Sequence, residues 1–318
     1  MGGPSRPRLK IHASTLACFL TGCHAPGHSR CPLSAVRCPG GERTVSEPAG
    51  PTDAVLAVLD DLRAEGGELD ALVGELSPAQ WTTPTAAPGW TLAHQIAHLA
   101  WTDTAALLSV TDPDAFADEV EKAVASPDTF VDDGAEAGAL LPPAELLSWW
   151  RDSRVQLQDA LRAAPAGARF PWYGPPMSTA SMATGRLMET WAHGEDVFDA
   201  LGRARRPTER LRHVARIGIR ARDYAFSVRG LTPPAEEFRI ELTAPDGEGL
   251  WTYGPPNAQQ GVRGDALEFC LLVTQRLHRD DTSVRAEGPD ADRWLDIAQA
   301  FAGPAGPGRP PRSARGAR

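Results

Sequence analysis

The stretches TLAHQIAHLAWTDTAALLSV at Thr91–Val110 and STASMATGRLMETWAHGEDVFDAL at Ser178–Leu201 give the clearest indication of the fold. In both stretches apolar side chains recur every three or four residues, which predicts long α-helices. The segments 55–76 and 144–164 show the same period. Four long helices joined by loops of moderate length predict a helical bundle at residues 51–205.

The pattern of the chain changes after residue 206. Phe238–Leu242 alternates apolar with polar side chains, the turn-forming run PDGEG follows, and Leu250–Tyr253 is typical of a returning strand. The other elements expected are helices at 207–229, 265–277 and 290–301 and a short strand at 283–286. The chain is therefore predicted to be mainly α, with a small α+β domain at 206–302 and a disordered Pro/Gly/Arg tail at 303–318.

The first fifty residues differ from the rest of the chain. They hold four of the five cysteines, Cys18, Cys23, Cys31 and Cys38. Their charge is +4, which leaves −13 for residues 51–318. Arg6–Cys23 resembles a lipoprotein signal, and the Cys and His side chains could instead clip a zinc ion, although no paired C-x2-C spacing is present. Six prolines and the lack of periodicity favour a third interpretation, a disordered or spurious leader with the native start near Val45.

The composition limits the classes of partner. Asp and Glu outnumber Lys and Arg by 41 to 32, and the net charge of −9 argues against a broad phosphate-binding surface and hence against nucleic acid. No apolar run approaches the roughly 20 residues that cross a bilayer, so no membrane association is expected. Cys270, in the apolar run FCLL, is predicted to be a core residue. These features indicate a reduced, cytoplasmic protein, and they give no reading of its oligomeric state.

Two pairs of chemistry-bearing side chains lie one helical turn apart. His94 and His98 share a face of the first stretch, and Glu189 and His193 share a face of the second. A carboxylate and an imidazole one turn apart can bind one metal ion. A histidine from a neighbouring helix would complete three protein ligands and leave a fourth position open, which is the catalytic arrangement for zinc. Spacing alone leaves two alternatives open, an ordinary polar Glu–His pair and hydrogen-bonded core histidines.

In combination, APGWTLAHQIAHL at Ala87–Leu99 and METWAHGED at Met188–Asp196 resemble the motifs of the mycothiol-dependent maleylpyruvate isomerase family, within the DinB-like superfamily. The resemblance covers most of residues 52–300. It implies a DinB-like four-helix bundle followed by a small α+β C-terminal domain. It also implies two cofactors, a divalent metal ion, Zn²⁺, and mycothiol as the thiol.

The resemblance assigns the metal ligands residue by residue. His98 occupies the family's His–Leu position, and Glu189 and His193 form its E-x-x-x-H. His94 would lie behind the ligands or line the cavity, or would replace His98 as the ligand. Asp196 could orient His193 from behind, as carboxylates often do at metal sites.

The family's chemistry follows from the metal ion. The ion would lower the pKa of a bound thiol so that the thiolate attacks a small electrophilic substrate, which is then isomerised and released or kept as a conjugate. Arg276 resembles the arginine of the family's C-terminal helix and would bind an anionic thiol or acid substrate, unless it is a solvated helix end. Arg186, on the Glu189 face of its helix, is a weaker candidate for the same role.

Other interpretations stay open. The same bundle could serve a non-catalytic metal or ligand sensor, because a fold does not determine function. Trp251–Gly254 and Leu277–Asp281 are similar to a domain found beside wyosine-forming tRNA enzymes. One cysteine in the body cannot supply a three-cysteine iron–sulfur cluster, and a charge of −13 is poor for tRNA, which argues against that RNA-associated role. The aromatic loop Trp172–Met177 could cover the cavity or pack on the surface.

Overall fold

The computed structural model describes residues 52–306 and 308–315, so the predictions for the leader at 1–50 lie outside the described residues. The chain is mainly α-helical, as predicted. The helices of its bundle are α1 (Asp53–Val73), α2 (Leu92–Thr111), α3 (Pro113–Ala125), α4 (Phe130–Ala139), α5 (Pro143–Ala163) and α6 (Thr179–Ala200). The connecting loops hold a 3-10 helix at Pro78–Thr82 and a short hairpin of β1 (Arg169–Phe170) with β2 (Met177–Ser178). None of the described helices is both long and apolar enough to cross a membrane.

Helix α2 lies at the centre of the bundle, in contact with α4, α5 and α6. Its stripe of Leu92, Ile96 and Leu99 is fully buried, as expected for the apolar face of a helix that other helices cover. Thr91 precedes the first turn in extended conformation, and its backbone N–H donates to His94 Nδ1 at 3.2 Å. The start of α2 is therefore fixed by its own side chains.

Helix α4 packs against α2 through two glycines. A Cβ atom at Gly134 would lie 2.8 Å from the Trp101 ring, and one at Gly138 would lie 2.7 Å from the Ala97 side chain. The close approach therefore depends on the missing side chains. The apolar period does not indicate α4, because its glycines and acidic residues interrupt the pattern.

The C-terminal unit combines helices with a four-stranded sheet. Its elements are α7 (Leu211–Arg220), α8 (Arg222–Ser227), β3 (Arg239–Thr243), β4 (Leu250–Tyr253), β5 (Gly261–Asp265), α9 (Ala266–Val273), a 3-10 helix (Arg279–Asp281), β6 (Arg285–Glu287), α10 (Pro289–Ile297) and α11 (Arg312–Arg315). The strand order is β4-β3-β5-β6. Strand β3 runs parallel to β5 and antiparallel to β4, with Leu242 opposite Trp251. The predicted α+β character is confirmed.

The structure differs from the predicted elements at several places. The helix expected at 207–229 is interrupted at Ala221, and the helix expected at 265–277 ends at Val273, before Gln275 adopts a left-handed φ of 61°. Strand β5 carries two glycines, which weaken the strand pattern in the sequence. In the tail expected to be disordered, Arg309 donates to Asp196 at 2.8 Å, because acidic side chains on α6 offer this arginine a partner.

One hydrophobic core extends from the bundle into the C-terminal unit. Leu187 of α6, Leu211 of α7, Phe269 of α9 and Trp294 of α10 all belong to it. A second core, around Ile96 and Trp150, fills the other end of the bundle. Because the first core is shared, the boundary between units near residue 205 stays a prediction.

A buried charge network ties the segment after α6 back to α1. Glu65, with 1% of its surface exposed, accepts hydrogen bonds from Arg205 and Arg210. Glu68 also binds both arginines. Each buried charge has a partner of opposite sign, so the burial of the network is tolerated. Because the network joins the segment after α6 to α1, it orients the chain where it leaves the bundle.

Candidate metal centre

Helices α2 and α6 bring the three predicted ligands together. His98 projects from α2, and Glu189 and His193 project from successive turns of α6. One potential ligand atom of each side chain lies within 4.8 Å of the others. Glu189 Oε2 lies 3.4 Å from His98 Nε2 and 3.2 Å from His193 Nε2. The three side chains therefore converge on one point between the two helices.

The separations of these atoms suit a tetrahedral metal ion. Metal–ligand bonds of about 2.0–2.2 Å at tetrahedral angles place neighbouring ligand atoms about 3.4 Å apart. The observed separations of 3.4 and 3.2 Å agree with this value. Two imidazole nitrogens and one carboxylate oxygen are a donor set that zinc accepts, with a fourth position left for water or substrate. The residues present therefore fit a divalent ion in both donor chemistry and proximity.

The protonation states also suit a cation. Burial raises the pKa of Glu189, but the hydrogen bonds and positive charge that His193 and His98 supply when they are protonated outweigh that effect and hold the pKa well below its ordinary value. Burial, together with the nearby His98, lowers the pKa of His193 to about 4. Near neutral pH the site therefore presents a carboxylate and a neutral imidazole of His193, whose lone pair is available to a metal ion.

Two tryptophans cover the cluster. The Trp90 ring lies 5.4 Å from the His98 ring and 5.9 Å from the His193 ring, and Trp101 lies 6.1 Å from His98, measured between centroids. The Trp90 indole N–H donates to Asp132 Oδ1 of α4 at 3.0 Å, which fixes the ring. These rings keep bulk water from the two imidazoles. Glu189 is the most exposed member, with 22% of its side chain accessible compared with 9% and 13% for the histidines.

His94 lies outside the cluster. Its Nδ1 accepts from the Thr91 backbone, and its Nε2 donates to Glu136 Oε2 at 2.7 Å. Both ring nitrogens are thus engaged in fixing the start of α2 and in joining it to α4. The structure brings His98, and not His94, to Glu189 and His193.

Gln95, rather than Asp196, lies behind His193. Gln95 Oε1 is 2.6 Å from His193 Nδ1. The two carboxylate oxygens of Asp196 accept instead from Arg276 and Arg309, each at 2.8 Å. Asp196 therefore turns toward the C-terminal unit, which corrects the expectation that it orients His193. A polar residue in the stripe between Leu92 and Leu99 is the signal in the sequence that could have indicated Gln95.

The two candidate substrate-binding arginines are engaged within the protein. Arg276 donates to the carbonyls of Ala192 and Thr274 as well as to Asp196. Arg186 is 3% exposed and donates to Asp103 Oδ1 at 2.8 Å. Arg186 therefore joins α6 to α2, and Arg276 joins α6 to the segment after α9.

The aromatic loop packs on the bundle next to the tryptophans. The Trp172 ring stacks on Phe116 of α3 at 5.7 Å, and Tyr173 contacts Phe130 of α4 at 5.6 Å. Phe130 in turn contacts Trp101 at 5.0 Å. The loop therefore contacts Trp101 indirectly, through the Phe130 ring.

Comparison with known proteins places this chain in a family. Residues 62–198 match the model of the mycothiol maleylpyruvate isomerase N-terminal domain, and residues 234–287 match the model of the wyosine base formation family. Two uncharacterized proteins of Mycobacterium tuberculosis, from strains H37Rv and CDC 1551, are each 57% identical to the chain over 249 residues, which is 78% of this chain and 96% of theirs.

A crystal structure of a mutant of the mycothiol-dependent maleylpyruvate isomerase superposes with a TM-score of 0.50 and 17% identity, covering 74% of this chain and 95% of that one. That likeness shows the shared fold. The chain belongs to the same family as the two mycobacterial proteins, and its bundle is a member of the mycothiol maleylpyruvate isomerase N-terminal domain family.

Proposed function

We propose that the protein is a metal-dependent enzyme that activates mycothiol for reaction with small electrophilic substrates, as an isomerase or a thiol transferase. The observation that carries the proposal is the convergence of His98, Glu189 and His193 at ligand spacing. Membership in the isomerase N-terminal domain family supports mycothiol as the thiol. Because the chemistry needs a reduced thiol, the proposed location is the cytoplasm.

In this proposal each part of the site has a separate task. His98, Glu189 and His193 would hold a divalent ion, Zn²⁺, which would lower the pKa of a thiol bound to it. Trp90 and Trp101 exclude water from the imidazoles, and exclusion of water strengthens electrostatic stabilisation of a thiolate. The exposed side of Glu189 marks the approach for thiol and substrate.

The proposed reaction begins when the thiolate sulfur forms a bond to an electrophilic carbon. If that carbon belongs to a conjugated double bond, the π electrons move onto the conjugated carbonyl, and the former double bond can rotate. Expulsion of the thiolate then restores the double bond in the other geometry, which is isomerisation. If a proton is taken up instead, the thioether stays as the product of transfer.

Metal analysis of the purified protein tests the ligand set. We expect about one equivalent of zinc per chain, lost in a Glu189→Ala, His193→Ala double variant. A His278→Gln variant is the matched control, because His278 contacts Asp280 in the C-terminal unit and lies outside the cluster. Unchanged metal content in the double variant would remove the basis of the proposal.

A thiol-dependent activity screen tests the chemistry. Metal-loaded protein is incubated with mycothiol and a panel of small electrophiles, including cis-configured conjugated ones, and products are followed by absorbance and mass spectrometry. We expect an isomer or a thiol conjugate to form faster than in buffer, and not with the double variant. Metal and thiol binding without turnover would instead support the non-catalytic metal- or ligand-binding alternative.

The match of residues 234–287 favours a second candidate, an RNA-associated role for the C-terminal unit. Arg263 on the sheet binds both Glu241 and Glu287, so these three side chains together carry a net negative charge, which is unfavourable for binding phosphate. Cys270, the cysteine found among the described residues, is buried. A gel-shift titration with tRNA at low salt tests this role, and absence of binding below about 10 μM would exclude it.

A further inference from the structure

Gln95 is a fully buried polar residue on the apolar stripe of α2. Its side-chain amide lies between two partners on other segments. Gln95 Nε2 donates to Thr85 Oγ1 at 2.9 Å, and Gln95 Oε1 lies 2.6 Å from His193 Nδ1. A buried amide that is satisfied at both ends has one orientation, and its orientation determines which atom faces the histidine.

The direction of these hydrogen bonds follows from the loop before α2. The carbonyl of Trp90 accepts from the Thr85 backbone N–H at 2.8 Å and from the Thr85 hydroxyl at 3.0 Å. Because the hydroxyl hydrogen points to Trp90, its oxygen is left to accept from the Gln95 NH₂ group. Gln95 then presents its carbonyl oxygen to His193, so Nδ1 carries the ring hydrogen and Nε2 faces Glu189 with a bare lone pair.

We propose that Gln95, oriented by Thr85, is a positioning residue that holds His193 in the tautomer and ring orientation required for metal binding through Nε2. The inference rests on the proposed function for the metal ion itself. It goes further in assigning this task to a neutral amide on α2 and to a hydroxyl in the loop that carries Trp90.

Zinc affinity of Gln95 variants tests the proposal. Gln95→Met keeps the length of the side chain but removes the acceptor, and we expect it to weaken zinc binding by about 10- to 100-fold. Gln95→Glu keeps an acceptor oxygen and should restore affinity to near that of the unaltered protein. Gln158→Met is the matched control, because Gln158 is also a buried glutamine, 6% exposed, on α5. Equal affinity in Gln95→Met and the unaltered protein would overturn the proposal.

Two further measurements separate positioning from a merely structural role. In Co²⁺-loaded protein, Gln95→Met should alter the visible absorption bands at saturating metal, whereas Gln158→Met should not. In metal-free protein, nitrogen-15 spectra should show His193 with its hydrogen on Nδ1. A spectrum with the hydrogen on Nε2 would overturn the proposal even if the Gln95 variants failed to fold.

A double-mutant cycle tests the part played by Thr85. Thr85→Val removes the hydroxyl at nearly constant volume, and we expect weaker zinc binding in the otherwise unaltered protein. The same change in the Gln95→Glu background should have a smaller effect, because both oxygens of a carboxylate can accept and no amide needs orienting. Equal losses in both backgrounds would refute the role of Thr85. If the unaltered protein binds no metal, the proposed function fails; if it binds metal and Gln95→Met is silent, only this inference fails.

Discussion

Replacing Asp103 by asparagine tests whether a buried ion pair holds the two ligand-bearing helices together. Asp103 of α2 is 4% exposed, and Arg186 of α6 is 3% exposed. Arg186 Nε donates to Asp103 Oδ1 at 2.8 Å, and Arg186 Nη2 donates to Thr102 Oγ1 at 2.6 Å. Asparagine has the size of aspartate but no charge, so Arg186 would be left as an uncompensated cation inside the bundle.

The expected loss of stability can be worked from this burial. Removing one partner of a buried ion pair costs about 3–5 kcal/mol. Burial raises the pKa of Asp103 in spite of the neighbouring Arg186, which means that the carboxylate itself is kept ionised at some cost. Its removal relieves that cost, so we expect a decrease near the lower end, about 3 kcal/mol in the free energy of unfolding.

Urea unfolding at pH 7, followed by circular dichroism, measures this decrease. Asp60→Asn is the control, because Asp60 is 63% exposed and pairs with Arg162 at the surface, where a pair is worth about 0–1 kcal/mol. Asp103→Leu combined with Arg186→Met should recover most of the loss, since no unpaired charge stays buried. A loss below about 1 kcal/mol for Asp103→Asn, equal to that of the control, would show that this ion pair does not hold α2 and α6 together.

Three further predictions follow from the packing and the pKa values. His193 has a pKa of about 4 in the folded protein against an ordinary 6.5, so at pH values between these two the unfolded chain binds more protons than the folded chain. The free energy of unfolding of the metal-free protein should therefore fall by about 2 kcal/mol between pH 7 and pH 5. Urea titrations at the two pH values measure this fall, which should be smaller in His193→Gln. Gly134→Ala should lower the free energy of unfolding by about 1–3 kcal/mol, because its Cβ would lie 2.8 Å from the Trp101 ring. Gly67→Ala, with no atom within 4 Å of its Cβ, should raise the free energy of unfolding by about 0.5–1 kcal/mol. Equal changes in the melting temperature of the two variants would contradict this packing. Burial raises the pKa of Cys270 well above its ordinary value, so iodoacetamide should label the Cys270 peptide slowly until denaturant is added. Mass spectrometry measures the labelling, and rapid labelling of the native protein would contradict the buried placement.

The periodicity of the sequence predicts the bundle and part of its site, for one physical reason. An α-helix places residues four apart on one face, so Glu189 and His193 must be neighbours wherever α6 lies. The same rule places His94 and His98 on one face of α2, and so it cannot choose between them. The observed distances select His98, because His94 is engaged by Thr91 and Glu136.

Features that depend on contacts between distant segments could not be predicted in this way. Gln95 and His193 are 98 residues apart in the chain, and no local pattern indicates that their helices meet at this register. Asp196 lies three residues from His193 and so invited assignment as its partner. Arg276 and Arg309, which approach from the C-terminal unit, take up its oxygens instead.

The apolar pattern along the chain is enough to establish which side chains lie on each face of a helix, because helical geometry is local and repeats every 3.6 residues. It also determined the mainly α character of the chain and the change to α+β after the bundle. The packing of the helices establishes which of these side chains meet, which histidine lies beside Glu189, and which neighbour contacts His193 Nδ1. Those choices depend on how the helices pack, and packing is set by burial of side chains across segments that the linear pattern does not relate.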